Sequence, residues 1–200
     1  MAAMSKGDQT RQLIISRAVA LARHTGLEQV TLGVLAADLD VSKSGLFAHF
    51  KSKEALQLEV VAEVIDQFTK TVVLPGLSAP RGVPRVQALF EGYLRWIHGQ
   101  PKAPTGCLML ALTYEYDDRP GPVREALLAA QRDWLESLAR VAKSGIDHGA
   151  FVPTLDPKQF AFEFEGITMA HQLAIKLSQG RGAEALARRA FADFLTRCTR

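Results

Sequence analysis

Val41-Ser-Lys-Ser-Gly-Leu-Phe-Ala-His-Phe50, running on into Lys51-Ser-Lys-Glu-Ala-Leu56, is the stretch whose reading decides the fold of this 200-residue chain. Ser42 has a side chain suited to capping a helix, and Val41 before it and Leu46 inside it are placed to form a hydrophobic staple. The first turn, Lys43-Ser44-Gly45, is small or cationic. Nothing bulky there keeps a backbone from a partner, and the exposed amide end of a helix attracts phosphate. Leu46 and Phe50 stand four apart on one face and are the residues to bury. Ser52 then starts another helix with Lys51 and Lys53 around it.

Working outward, Leu13, Ile14, Ala18, Leu21 and Ala22 recur at helical spacing from a cap at Thr10, and Arg23-His24 fill the last turn before Gly26. Thr31 caps a second helix whose apolar face is Leu32, Leu35, Ala36 and Leu39. Only Leu39-Asp40-Val41 separates it from Ser42. Such a junction needs a left-handed residue, which Asp tolerates. Three helices with a tight turn between the last two make a helix-turn-helix, whose second member enters the major groove of DNA.

With these residues in view, positions 10 to about 64 resemble the DNA-binding domain of the tetracycline-repressor (TetR) family of bacterial transcriptional regulators. The resemblance is carried by the Thr10-to-Gly26 helix, Thr31 with Leu35-Ala36, Val41-Ser42-Lys43, Leu46, Phe47, His49-Phe50 and Ser52-Lys53-Glu54-Ala55-Leu56. Gly33 departs from a position often basic in that family, Asp40 from one usually Gly, Gly45 from a frequent Thr, and Phe47-Ala48 from two common tyrosines. Phe47 has no hydroxyl to offer a phosphate. By motif position, Lys43 and Ser44 are the candidates for base-edge contacts, with Gly45 allowing close approach. Thr31, His49 and Lys53 are candidates for phosphates, and Ser42 and Phe47 complete the reading face. For His49 the alternative is a histidine that closes the domain core.

Composition is compatible with this reading and does not compel it. The chain is 48% hydrophobic and 22% charged, with 24 Lys and Arg against 21 Asp and Glu, enough for a substantial core or a small domain joined to a larger one. Over residues 1–54 the cationic excess is seven to five, too slight to suggest DNA by itself. Cys107 and Cys198 have no metal-site spacing, and Cys107 reads as a small buried hydrophobe. No apolar run approaches the roughly 18 residues of a membrane helix, and Met1 to Gln9 lack the apolar core of a signal peptide. A cytoplasmic location is expected. The five histidines give no HExxH spacing, and Ser144, Asp147 and His148 crowd one loop end without triad logic. An enzyme is not expected, nor a cofactor or metal.

The remainder reads as helical almost throughout, so the fold class is all-α with about nine helices. An N-terminal arm covers residues 1–9, the helix-turn-helix domain 10–55, and a larger helical ligand-binding and dimerisation domain 56–200. The helix from Ser52 carries Leu56, Val60, Val61, Val64, Ile65, Phe68 and Val72 and ends at Pro75-Gly76. Val86, Leu89, Phe90, Tyr93 and Ile97 make the next stripe, Pro101 to Pro104 interrupt, and a mostly apolar helix spans Thr105 to Tyr116. Val123, Leu127, Ala130, Trp134, Leu138 and Val141 mark a long amphipathic helix. Asp156 caps, with Pro157 at the first helical position, a run to about Ser178, and Ala183 to Arg197 form the last helix. Phe160, Phe162 and Phe164 alternate like a strand, yet the absence of breakers up to Gly180 favours a helix apolar on more than one side. Such a helix needs two partners, from its own core or from a second copy.

The family resemblance implies that the helices at about 157–178 and 183–197 pair with those of a second subunit as a four-helix bundle. It also implies a double-stranded, near-palindromic operator, and a small-molecule effector in a cavity among the middle helices that tilts the linking helix Ser52–Leu74. Candidate lining residues are Phe90, Tyr93, Trp96, Met109, Tyr114, Trp134, Phe164 and His171, each with plain core as its alternative. Repression, activation and effector-independent architectural DNA binding are not separated by the residues.

Overall fold

Ser5, not Thr10, opens the first helix. In the computed structural model, which describes residues 5–99, 106–178 and 181–199, the Ser5 hydroxyl accepts the Asp8 N–H at 3.1 Å, and the Asp8 carboxylate accepts the Ser5 N–H at 3.2 Å. This reciprocal box does with Asp what the familiar version does with Glu. Helix α1 therefore runs Lys6–Thr25, and the arm expected over residues 1–9 is helical from Lys6; residues 1–4 lie outside the described residues.

Helix α2 spans Leu32–Leu39 behind Thr31, whose hydroxyl accepts from the Val34 N–H, and α3 spans Lys43–His49 behind Ser42, whose hydroxyl accepts from the Gly45 N–H. Between them Asp40 takes the left-handed conformation the junction required, at φ 54° and ψ 45°. Leu46 and Phe50 are each 1% exposed. Val41 remains 47% exposed, so the cap and Leu46, rather than a staple, fix the approach of α3.

Pro75 does not end the helix that follows. Helix α4, Lys53–Phe68, passes through a π-helical segment at Thr69–Val73 into α5, Leu74–Ser78. Proline has no N–H to donate and its ring crowds the carbonyl four residues back. The wider π turn, with the Leu74 N–H reaching the Thr69 carbonyl, carries the chain past that crowding. Counted as one continuous helix, these pieces leave nine helices among the described residues. The others are α6 Val83–His98, α7 Leu108–Glu115, α8 Pro122–Asp147, α9 Pro157–Ser178 and α10 Ala183–Thr199. There is no strand among the described residues. The interruption expected at Pro101–Pro104 lies outside them.

The described chain forms two compact units. One takes residues up to Gln67 together with Leu108–Leu128; the other takes residues 68–99, 106–107 and those from Ala129 on. In the first, Ala18, Leu27, Val30, Leu35, Leu46 and Phe50 are almost fully buried, and Arg17 pairs with Asp38 to tie α1 to α2. In the second, small residues bring helices close. A side chain on Gly76 would collide with Leu89, and Gly92 lies against Val72. Helix α9 packs along α10, with Phe160 and Phe164 buried at 1% exposure and Phe162 turned outward at 72%. The alternating phenylalanines thus sit on a helix, which Asp156 caps by accepting the Lys158 N–H at 2.8 Å.

Candidate nucleic-acid interface

The cap at Ser42 aims the first turn of α3 outward. Lys43, Ser44, Gly45 and Phe47 share its exposed side, while Leu46 points inward. Phe47 is 45% exposed, and the Lys43 ammonium sits 6.0 Å from its ring centre. The Ser42 hydroxyl is held by the Gly45 N–H at 3.1 Å and by the Ser44 hydroxyl at 3.2 Å. It is committed to building the helix end, leaving Lys43 and Ser44 as the outward polar groups. Added carbon on Gly45 would meet the Ser42 hydroxyl at 3.2 Å, so this turn is both bare and tightly made.

The rear of α3 is fixed by a residue that periodicity did not mark. Arg11 on α1 pairs with Glu59 of α4, donates from Nη1 to the His49 carbonyl at 2.6 Å, and lies 4.6 Å above the Phe50 ring. It satisfies a carbonyl at the end of α3 while closing the core beneath it. His49 is therefore anchored through its backbone, with its ring half-buried.

A second polar cluster joins the loop after α1, the start of α4 and the end of α7. Glu115, the last residue of α7, accepts the Leu27 N–H at 2.9 Å and the Glu28 N–H at 2.7 Å. A carboxylate thus clamps the turn that leaves α1 at Gly26, where φ is 81° and a side chain would strike Glu115. Glu28 pairs with Lys53 through one oxygen; the other accepts the Tyr116 hydroxyl at 3.2 Å and has Arg119 at 3.6 Å. The Lys53 hydrogen bond first, helped by the charge of Lys53 and by hydrogen bonds from Tyr116 and Gln57, holds the Glu28 carboxyl below its ordinary range against the opposing effect of burial. Burial, then the neighbouring carboxylates, raises the Tyr116 phenol well above its ordinary value, so it stays a donor. Lys53, expected at a phosphate, thus has a carboxylate partner inside the protein.

In the second unit Phe90, Tyr93, Trp96, Trp134, Phe164 and His171 are all at most 7% exposed. They are packed among themselves and their neighbours: Phe90 stacks on Phe191 at 3.9 Å, and Trp134 meets Phe68 edge-on at 5.2 Å. Most polar tips are used. The Tyr93 hydroxyl donates to the Thr168 carbonyl at 2.6 Å, Trp134 to Glu165 at 2.9 Å, and Trp96 to the Cys107 sulfur at 3.3 Å. His171 differs, being 2% exposed with neither ring nitrogen hydrogen-bonded. Met109 and Tyr114 belong to the first unit. Tyr114 is 56% exposed, which departs from the enclosed apolar setting a lining residue needs.

Comparison with known proteins agrees with the geometry. Residues 14–60 match the model for bacterial regulatory proteins of the tetR family, and residues 82–191 that for a tetracyclin repressor-like C-terminal domain. The chain belongs to the TetR family. Members of that family are bacterial regulatory proteins. Among its relatives, the A-factor receptor protein of Streptomyces griseus is 26% identical over 90% of this chain and 60% of its own length, so less than two thirds of that relative is spanned. The HTH-type transcriptional repressor DhaR of Mycobacterium sp. (strain GP1) is 25% identical over 76% of this chain and 74% of its own. A TetR transcriptional regulator from Chloroflexus aurantiacus J-10-FL superposes with a TM-score of 0.84, covering 96% of each chain at 22% identity. That likeness establishes the fold.

Sequence reasoning about this TetR-family chain missed Arg11, Glu28, Glu115 and Tyr116. Arg11 carried a faint signal, a cation on the helix preceding the helix-turn-helix. Glu115 carried none, because an acid closing an apolar helix reads as solvent-facing.

Proposed function

We propose that this regulator binds a near-palindromic operator as a homodimer, represses, and is released by a small apolar or aromatic effector. The observation that carries the DNA half is the capped α3, whose cationic, glycine-bared turn faces out while Leu46 and Phe50 lock its other side into the core. In this reading Lys43 and Ser44 meet base edges, Gly45 lets the backbone in, and Thr31, His49 and Lys53 hold phosphates. Ser42 acts through its cap, and Phe47 offers an apolar contact. Work on chromosomal DNA puts the protein in the cytoplasm.

A second copy suits the face of α9 and α10. Phe162, Leu173, Leu177 and Leu186 are 59–77% exposed there, more apolar surface than a lone subunit leaves open without reason. Between the two helices runs a groove of about 650 Å³ walled by Gly166, Ala170, Ala174, Ala187 and Ala190, small enough side chains for a partner helix to approach closely. The effector half is supported by His171, whose unused nitrogens give an apolar guest one polar anchor, while Phe90, Trp134 and Phe164 are close-packed around one another. Such a ligand releases DNA only by binding the DNA-incompetent arrangement better.

Gel shifts on the DNA flanking the chain's own gene test the reading. Lys43→Ala and Gly45→Trp should each abolish sequence-specific binding without unfolding the dimer. Undiminished selective binding by both would reject it, and binding without sequence preference at any salt would mark an architectural protein instead.

A further inference from the structure

We propose that Glu28 competes with the operator phosphates for Lys53, and so sets how tightly this regulator holds DNA. The inference rests on the reading that Lys53 is a phosphate contact. Lys53 is the first residue of α4, and a helix N-terminus beside an ammonium suits a phosphate oxygen. Away from DNA that ammonium is bound to Glu28, both side chains being 36% exposed. One ammonium cannot give its full strength to a carboxylate and a phosphate at once.

Glu28 is built to let Lys53 go. Its second oxygen has Tyr116 at 3.2 Å and Arg119 at 3.6 Å, so a neutral donor and a cation remain when Lys53 leaves. An abandoned half-buried carboxylate would otherwise make the exchange costly. Arg119 is half-exposed and lies 5.9 Å over the Tyr116 ring, free to close on Glu28. Because Glu115, Tyr116 and Arg119 come from α7 and the turn after it, any effector that shifts that corner also changes how strongly Glu28 retains Lys53.

The test measures affinity for a selected operator duplex by fluorescence anisotropy, using the full-length chain between about 50 and 200 mM salt. Glu28→Gln should tighten binding about two- to five-fold at the low end, the range an exposed ion pair commands. The gain should shrink as salt rises, since screening dissolves the competing pair. In a Lys53→Ala background the same change should do nothing. Arg119→Ala, at an exposed site that does not threaten the fold, should weaken binding by making Glu28 hold Lys53 harder, and should likewise be silent with Lys53→Ala.

A gain that is absent, independent of salt, or undiminished in the Lys53→Ala background overturns the competition, the last meaning that only general charge matters. Lys53→Ala alone separates the two levels. If it weakens binding while Glu28→Gln is silent, the competition falls and the phosphate contact stands; if it leaves affinity unchanged, both fall.

Discussion

Asp40 holds the left-handed backbone at the turn into α3, and among the described residues it is the only non-glycine with positive φ. Its short carboxylate tolerates the conformation better than an alkyl side chain does, but less well than no side chain at all. Asp40→Gly should hold or raise the melting temperature, whereas Asp40→Ala should cost about 1 kcal/mol by chemical denaturation. The side chain is exposed, so neither change disturbs packing, and a stable alanine variant would mean the turn is not strained. This position was legible because the constraint is local: two capped helices three residues apart leave few conformations for the residue between. Ser42, Leu46 and Phe50 were readable for the same reason. Lys53 was readable as a cation at a helix start, but not its pairing with Glu28, which lies 25 residues away.

Helices followed from periodicity and caps, and those that departed from expectation did so where chemistry skipped the usual signal. Ser5 with Asp8 made a box from residues that read as an N-terminal arm, and Pro75 was absorbed by a π turn instead of ending its helix. Pro75→Ala restores a donor and should let the π segment relax into an α-helix. Hydrogen exchange should then show the amides of Thr69–Val73 protected more strongly, and unchanged protection would assign the π turn to packing by α6. The end of α7 was illegible, since Glu115 and Leu27 are 88 residues apart and nothing local hints at the clamp. Glu115→Ala leaves the Leu27 and Glu28 N–H groups without that acceptor and should destabilise by about 1–3 kcal/mol in urea. A loss below that range would mean water replaces the carboxylate.

At the scale of the whole molecule, α9 and α10 present an apolar face that one copy of the chain leaves uncovered, and His171 lies buried beneath the groove between them. Burial first, then the charge of His98, holds the His171 imidazole below its ordinary 6.5. The fold keeps this ring neutral, whereas the unfolded chain takes up a proton near 6.5. Stability should therefore be lost as pH falls through about 6.5 and toward the lower folded value. Denaturation midpoints at pH values above and below that window should draw together in His171→Leu, and an unchanged gap would assign the acid loss to carboxylates. The proposed two-fold arrangement would give the central claim its geometry, because one short helix reads only a few base pairs. Hydroxyl-radical footprinting of the wild-type protein on DNA selected from a random pool tests that claim most directly. The account predicts two matching protections on one face of the duplex, about one helical turn or a multiple apart, both lost with Lys43→Ala. A single protection, or an asymmetric footprint that survives Lys43→Ala, would contradict it.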